Sequence, residues 1–227
     1  SQGLASAGYP ACRGKVMASE TKWCRSLDDW MATYDGWLRR GEAQDVTDMS
    51  VFLDFRLVRG DATLVGELCR HVHDTLPEQR GTQFLLARMA LEFRPPLRLP
   101  GNIYLGGAAE SSGRFDLKDA LQPIVAFARV YAERQRIVAT HTMERIDALA
   151  DRELLPTGSR EEIADAYDFL MGLRLRTQLD DVRAGREPTS VVELSSLTSI
   201  QRELLRQAFG AIADVQKVAE REFPEVG

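Results

Sequence analysis

The fold is decided at residues 159–184, which read SREEIADAYDFLMGLRLRTQLDDVRA. Ser159 followed by two glutamates is typical of a capping box, and apolar residues then recur at helical spacing. This stretch predicts one long amphipathic helix. A second capping box, from Thr198 to Gln201, predicts a last helix that ends near Phe223, with a surface loop over 185–195 between the two.

Further helices are expected upstream of this pair. We place them at about 26–40, 62–76, 82–91, 123–136 and from 140 or 142 onward. Thr82 is expected to cap its helix, and Pro123 suits the first position of the next one. Residues 97–116 are expected to form either a short hairpin or an irregular loop. Four to five amphipathic helices with short connections in residues 81–227 predict a mainly α fold, an antiparallel helical bundle preceded by an incomplete α/β fragment.

The composition excludes several broad classes of function. With 227 residues and a net charge of −5, the chain has no broad electrostatic attraction to nucleic acid or to an anionic membrane. Apolar runs are too short to span a bilayer. Cys12, Cys24 and Cys69 form no CxxC motif, so a reducing, cytoplasmic setting is expected. His71 and His73 lie two residues apart, and we expect solvated positions on different helix faces rather than a metal site.

The N-terminal part carries one unusual acid. Residues 51–58 are apolar and β-prone, and they predict a strand that holds Asp54 between two hydrophobic neighbours. A carboxylate buried in this way needs a cation, a metal or several hydrogen-bond donors. Trp30, Tyr34 and Trp37 recur on one helical stripe that we expect to face the core. Pro77 and Gly81 mark a boundary between two expected domains, 1–80 and 81–227.

Several cationic or polar side chains lie on stripes of the bundle that should face inward. They are Lys118, Arg129, Arg145, Arg174 and Gln178. Such groups converging on a cleft would suit a phosphate or a carboxylate ligand. The alternative is that they pair with acids of neighbouring helices and only tie those helices together. The acids weighed as such partners are Asp116, Glu144, Asp147 and Asp168.

An ordered series of short motifs resembles a known family. The bundle half contributes Phe115-Asp-Leu-Lys118, Pro123-Ile-Val, Arg129, Thr140-His-Thr-Met-Glu-Arg145 and Leu173-Arg-Leu-Arg-Thr-Gln-Leu179. The first half contributes Ala7-Gly-Tyr-Pro10, Lys22-Trp23, Trp30, Phe52-Leu-Asp-Phe-Arg56 and Gly60-Asp61. Together they resemble a nucleotidyltransferase domain related to the protein-PII uridylyltransferases, within the polymerase-β-like superfamily, followed by its substrate-binding domain.

The resemblance implies a division of roles. Asp54 corresponds to the third catalytic and metal-binding carboxylate, which would hold Mg²⁺ with an upstream Asp-x-Asp pair, and Arg56, its neighbour on the strand, corresponds to a substrate-binding position. The five cationic and polar residues of the bundle correspond to substrate-binding positions. The implied reaction is nucleotidyl transfer from a nucleoside triphosphate to a protein or small-molecule acceptor. The Gly-Ser turn and the Asp-x-Asp pair are missing here, so this chain is expected to be inactive by itself.

The resemblance also implies a wider context. Family members commonly carry cyclic-nucleotide-binding and CBS domains upstream, so the intact protein is expected to be a bacterial signal-transduction protein of which this chain is the C-terminal part. The alternative is a non-catalytic helical module for regulation or dimerisation. In that case Asp54 pairs with Arg56 or with an arginine of the bundle, and a homodimer is an expected state. No nucleic acid or membrane partner is expected.

Overall fold

The computed structural model describes residues 2–8, 11–12, 14–92, 95, 97–98, 102–103 and 113–223. The predicted mainly α bundle is confirmed. The α-helices are α1 (Gln2–Ser6), α2 (Leu27–Arg40), α3 (Ala43–Phe52), α4 (Ala62–Thr75), α5 (Arg80–Glu92), α6 (Leu117–Arg134), α7 (Thr142–Asp151), α8 (Ser159–Arg183) and α9 (Ser199–Glu222). Short strands are β1 (Leu97–Arg98), β2 (Asn102–Ile103), β3 (Arg114–Asp116) and β4 (Val191–Glu193). Within these described ranges, no helix has the length and apolar character needed to cross a membrane.

Helix α6 lies at the centre of the bundle and packs against α5, α7, α8 and α9. Helices α8 and α9 run antiparallel, since Glu162 near the start of α8 and Asp214 towards the end of α9 line the same groove. Phe127, Leu170 and Phe209 are buried between these helices. Burying a large apolar side chain contributes about 1.5–3 kcal/mol, so this apolar interior stabilises the bundle.

Helix α2 forms where its sequence predicts a helix. The Ser26 side chain accepts a hydrogen bond from the Asp29 amide and so caps the first turn. Tyr34 and Trp37 are buried and Trp30 packs partly against the core, which confirms the predicted core-facing aromatic stripe.

The two expected capping boxes differ in outcome. At α9 the box is confirmed, because the Thr198 hydroxyl accepts from the Gln201 amide and the Gln201 side chain accepts from the Thr198 amide. At α8 the prediction is wrong. Gly158 occupies the N-cap with a left-handed φ of 83°, and no side chain caps the helix. Ser159 is instead the first residue of the helix.

Two further helix starts also differ from expectation. Thr82 lies inside α5, and its hydroxyl donates to the Leu38 carbonyl at 3.1 Å, which ties α5 to α2. Pro123 lies inside α6 rather than at its start. The cap is Asp116, whose carboxylate accepts from the Lys118 amide at 2.8 Å. A local hydrogen bond at Asp116 therefore starts the helix before Pro123 can define it.

The strand expected over 51–58 is wrong. Helix α3 continues to Phe52, and the Leu53 amide donates to the Met49 carbonyl at 2.9 Å before the chain turns. Among the described residues, no strand lies beside this segment to accept its ladder hydrogen bonds. A helix satisfies its backbone groups within itself, so the β-prone composition does not decide the outcome here.

The segment expected to be a surface loop before α9 contains strand β4. It pairs antiparallel with β3, with Phe115 opposite Val192 in the register. Upstream, β1 and β2 pair antiparallel, which is the geometry of the short-hairpin alternative. Residues 99–101 and 104–112 of that expected hairpin or loop lie outside the described residues.

Candidate functional site

Asp54 lies in the turn after α3, where an aromatic cluster holds the backbone. The Tyr34 hydroxyl donates a hydrogen bond to the Phe52 carbonyl. The Phe52 ring packs on the indoles of Trp23 and Trp30, with ring centroids 4.5 and 5.0 Å apart. Since these contacts fix the residue preceding the turn, they also limit where the carboxylate of Asp54 can reach.

Two arginines of the bundle converge on this carboxylate. Arg129 of α6 places Nε and Nη2 at 3.0 and 2.5 Å from Oδ2 of Asp54. Arg145 of α7 places Nη2 at 2.6 Å from Oδ1. The exposed fractions of the three side chains are 13% for Arg129, 2% for Arg145 and 28% for Asp54. Both carboxylate oxygens are therefore engaged by guanidinium groups, of which that of Arg145 is buried, while Asp54 itself stays open to solvent.

A second carboxylate lies behind Arg145. Glu133, in the last turn of α6, is only 4% exposed, and its Oε1 lies 4.0 Å from Nη2 of Arg145. Its Oε2 lies 3.2 Å from Nε2 of His73 but has no hydrogen-bond partner among the described residues. The Nε group of Arg145 donates to the Ala139 carbonyl at 2.7 Å. The expectation that His73 is solvated is wrong, because its side chain is 13% exposed.

Asp54, Glu133, Arg129 and Arg145 carry two negative and two positive charges. We call these four residues the Asp54 cluster. These charges cancel, so the cluster has no net charge. Two acids and two bases that share partners in this way avoid the large desolvation cost of an unpaired buried ion.

The cluster perturbs neighbouring groups that can ionise. Burial, and then the carboxylate of Glu133, raise the pKa of the Tyr34 hydroxyl, so this group stays protonated and donates to the Phe52 carbonyl. Burial and Glu133 also raise the pKa of the Cys69 thiol. Both shifts have the sign expected for a group that is kept neutral beside a buried acid.

The remaining predicted site residues lie elsewhere. Arg56 is exposed, two residues beyond Asp54. Lys118 is also exposed, at the opposite end of α6 from the Asp54 cluster. Arg174 is partly buried, and its Nε donates to the Ser190 hydroxyl at 3.0 Å. Gln178 lies one turn further along α8.

The predicted site residues therefore fall into two groups. Lys118 and Arg129 are eleven positions apart on one helix, which separates them by about 16 Å along its axis. The Leu117 amide donates to the Ser190 carbonyl, so Lys118 belongs to the end of the bundle where Ser190 lies. The structure brings Asp54, Arg129 and Arg145 together and leaves the others at a distance.

Most of the acids weighed as partners from sequence do not contact the cluster's arginines. Asp116 caps α6 and Asp147 pairs with Arg160 at 2.8 Å. The acids that pair with the cluster's arginines are Asp54 and Glu133. Glu133 was missed, although it lies four residues after Arg129 on the same helix face, and that spacing is the one local signal that could have found it.

The Asp54 cluster does not fit the Mg²⁺ ion that the resemblance implies. Mg²⁺ is held by carboxylate oxygens and water, with octahedral geometry. Both oxygens of Asp54 already face guanidinium nitrogens. The described part of the chain contains no group of three or more acidic, histidine or cysteine side chains placed to hold a metal. A cation at Asp54 would have to displace both arginines.

Comparison with known families gives two matches. Residues 81–223 match the family described as "Putative nucleotidyltransferase substrate binding domain". Residues 1–44 match the family described as "Putative nucleotidyltransferase DUF294". No curated protein and no solved structure matches the chain significantly. Arg129 and Arg145 lie within the first match, whereas Asp54 lies between the two.

Proposed function

Because this chain belongs to the "putative nucleotidyltransferase substrate binding domain" family, we propose that its bundle binds an anionic group of a substrate through Arg129 and Arg145. The single observation that supports this is the convergence of both guanidinium groups on one small anion, the Asp54 carboxylate. Guanidinium forks bind carboxylate and phosphate oxygens with the same hydrogen-bond geometry. Asp54 then occupies, from within the chain, the position that a substrate anion would take.

The substrate class follows from the family and from this chemistry. We propose that the substrate is a phosphate-bearing or carboxylate-bearing molecule that takes part in nucleotidyl transfer from a nucleoside triphosphate. The bundle then orients this molecule beside a transferase domain in the intact signalling protein. Arg145 is held by the Ala139 carbonyl and is buried, so it is pre-oriented. While Asp54 is engaged by two arginines, this chain is expected to transfer no nucleotide.

The test is direct binding of an anion to protein variants. Inorganic pyrophosphate and ATP, without a divalent metal, are titrated by calorimetry into the wild type and into Asp54→Asn and Arg129→Gln. Asp54→Asn removes the internal competitor and should tighten binding at least tenfold. Arg129→Gln should abolish it.

The control for this test is Asp147→Asn, because Asp147 also pairs with an arginine, Arg160, but lies outside the cluster. It should bind as the wild type does. Absence of binding in Asp54→Asn, with the protein folded by circular dichroism, would refute an anion site at Arg129 and Arg145.

A second function is favoured by the same ion pairs. Asp54 ties the turn after α3 to α6 and α7, which is what a non-catalytic helical module needs if its two parts must hold together. Under this alternative Asp54→Asn lowers the free energy of unfolding and no anion restores it. Under the first proposal, a ligand present at about 100 times its dissociation constant adds about 2.7 kcal/mol.

A further inference from the structure

The outward face of α8 carries an exposed apolar stripe in its second half. Met171, Leu175, Leu179 and Val182 recur at helical spacing, with exposed fractions of 39, 58, 45 and 57%. Single exposed apolar residues are ordinary, but a row of four along one helix face forms a continuous apolar surface. This surface lies in the C-terminal half of α8, away from the loop that precedes the helix.

The first half of the same face is acidic. The exposed acids Glu161, Asp165 and Asp168 continue the same helix face toward the N-terminus of α8. Beside them, α8 and α9 form a groove of about 660 Å³ that Phe169 and Asp214 help to line. The second half of the face adds exposed bases, Arg176 and Arg183, next to the apolar residues. The face is therefore acidic at one end, and mainly apolar and basic at the other, where Arg183 also pairs with Asp180 at 3.3 Å.

Gly172 lies at the middle of this face. It is exposed, its φ is not positive, and a Cβ at this position would meet nothing within 4 Å. Glycine inside a helix is unfavourable by about 1 kcal/mol relative to alanine, and none of the described residues lies close enough to require it here. A missing side chain does permit the close approach of a second helix from outside.

We propose that this face binds a second copy of the chain, with the two α8 helices antiparallel and a two-fold axis passing beside Gly172. With such an axis, a residue that lies n positions before Gly172 in one copy faces the residue that lies n positions after Gly172 in the other copy. Asp168 then faces Arg176 of the second copy, four positions on either side. Glu161 faces Arg183 of the second copy, eleven positions on either side.

Of the exposed apolar residues, Leu175 obeys the same relation, whereas Leu179 and Val182 come opposite Asp165 and Glu162 of the second copy. Leu175 comes against Phe169 of the second copy, three positions on either side of Gly172, so an exposed leucine meets the apolar lining of the groove. A self-complementary face is the defining property of a two-fold interface. The charge pattern favours a second copy over an unrelated partner, because each half of the face supplies the complement of the other half.

Charge reversal gives the decisive experiment. Asp168→Arg alone or Arg176→Asp alone places like charges opposite each other at two symmetric points. Each variant should weaken association by about 2- to 30-fold, because two exposed ion pairs together contribute about 0.4–2 kcal/mol. An equimolar mixture of the two variants restores both attractive pairs and should associate as the wild type does. Sedimentation velocity over a range of concentrations measures all four samples.

Matched controls separate docking from folding. Val138→Glu also charges an exposed apolar residue but lies away from this face, so it should leave association unchanged. Gly172→Gln should dissociate the dimer while the monomer keeps its helical circular dichroism. A monomeric wild type at about 100 μM, or a dimer that persists in both charge-reversal variants, would overturn the proposal.

Discussion

Replacing Arg145 by methionine should cost about 3–5 kcal/mol of the free energy of unfolding, the range for removing one partner of a buried ion pair. This cost is larger than that of breaking an exposed ion pair, which is about 1 kcal/mol or less. Arg145 is 2% exposed and lies between Asp54 and Glu133. Asp54 keeps Arg129 and some solvent, whereas Glu133 is 5% exposed and loses its nearest guanidinium. Most of the cost therefore arises from Glu133.

Urea denaturation followed by tryptophan fluorescence measures this loss, since Trp23 and Trp30 pack beside the turn that carries Asp54. The double variant Arg145→Met/Glu133→Gln should recover part of the loss, because it removes a buried carboxylate that would otherwise keep only His73 as a partner. Arg206→Met is the control, since Arg206 pairs with an acid on the exposed face of α9, and it should change little. A loss below about 1 kcal/mol in Arg145→Met, or no recovery in the double variant, would refute this account of the Asp54 cluster.

Two further outcomes follow from groups outside the cluster. The side-chain hydrogen bond from Arg186 lowers the pKa of Asp181 below its ordinary value of 3.8. The stability that this hydrogen bond contributes is therefore fully present above pH 3.8, and it is lost as the pH falls through the lower pKa of the folded state. Asp181→Asn should flatten this acid-dependent loss in thermal denaturation between pH 5 and 2, and an unchanged profile would contradict the assignment. Iodoacetamide should modify the exposed thiols Cys12 and Cys24 quickly and Cys69 slowly, because burial raises the pKa of Cys69; equal rates by mass spectrometry would contradict this.

The features that sequence predicts well are those with local causes. The capping box at Thr198 needs only residues within four positions of one another, and the stripe of Tyr34 and Trp37 needs only helical spacing. Both appear in the structure as expected. The predicted helix starts at Ser159 and Pro123 are wrong for a related reason. An upstream residue, Gly158 for α8 and Asp116 for α6, occupies the N-cap instead.

The candidate site depends on contacts that are distant in sequence. Asp54 and Arg129 are 75 positions apart, and no periodicity links them. A buried acid predicts that some cation compensates it, but it does not say which. The same reasoning applies to Glu133, whose partner His73 lies on another helix. The need for a compensating cation can thus be inferred from sequence, whereas the predicted burial of Asp54 is wrong, since the residue is exposed, and the pairing of charges requires the packing of α6 and α7 on the turn after α3.

The pairing of Asp54 with two arginines links two events that would otherwise be independent, the binding of an anion and the release of the Asp54 carboxylate. If an anion takes Arg129 and Arg145, as we propose, it must displace the Asp54 carboxylate, so anion binding and release of Asp54 are coupled. A ligand shifts this equilibrium only by the difference between its affinities for the two states. Asp54→Asn removes that competition without removing either arginine. The gain in anion affinity in this variant therefore measures how strongly the Asp54 carboxylate competes with the anion for Arg129 and Arg145.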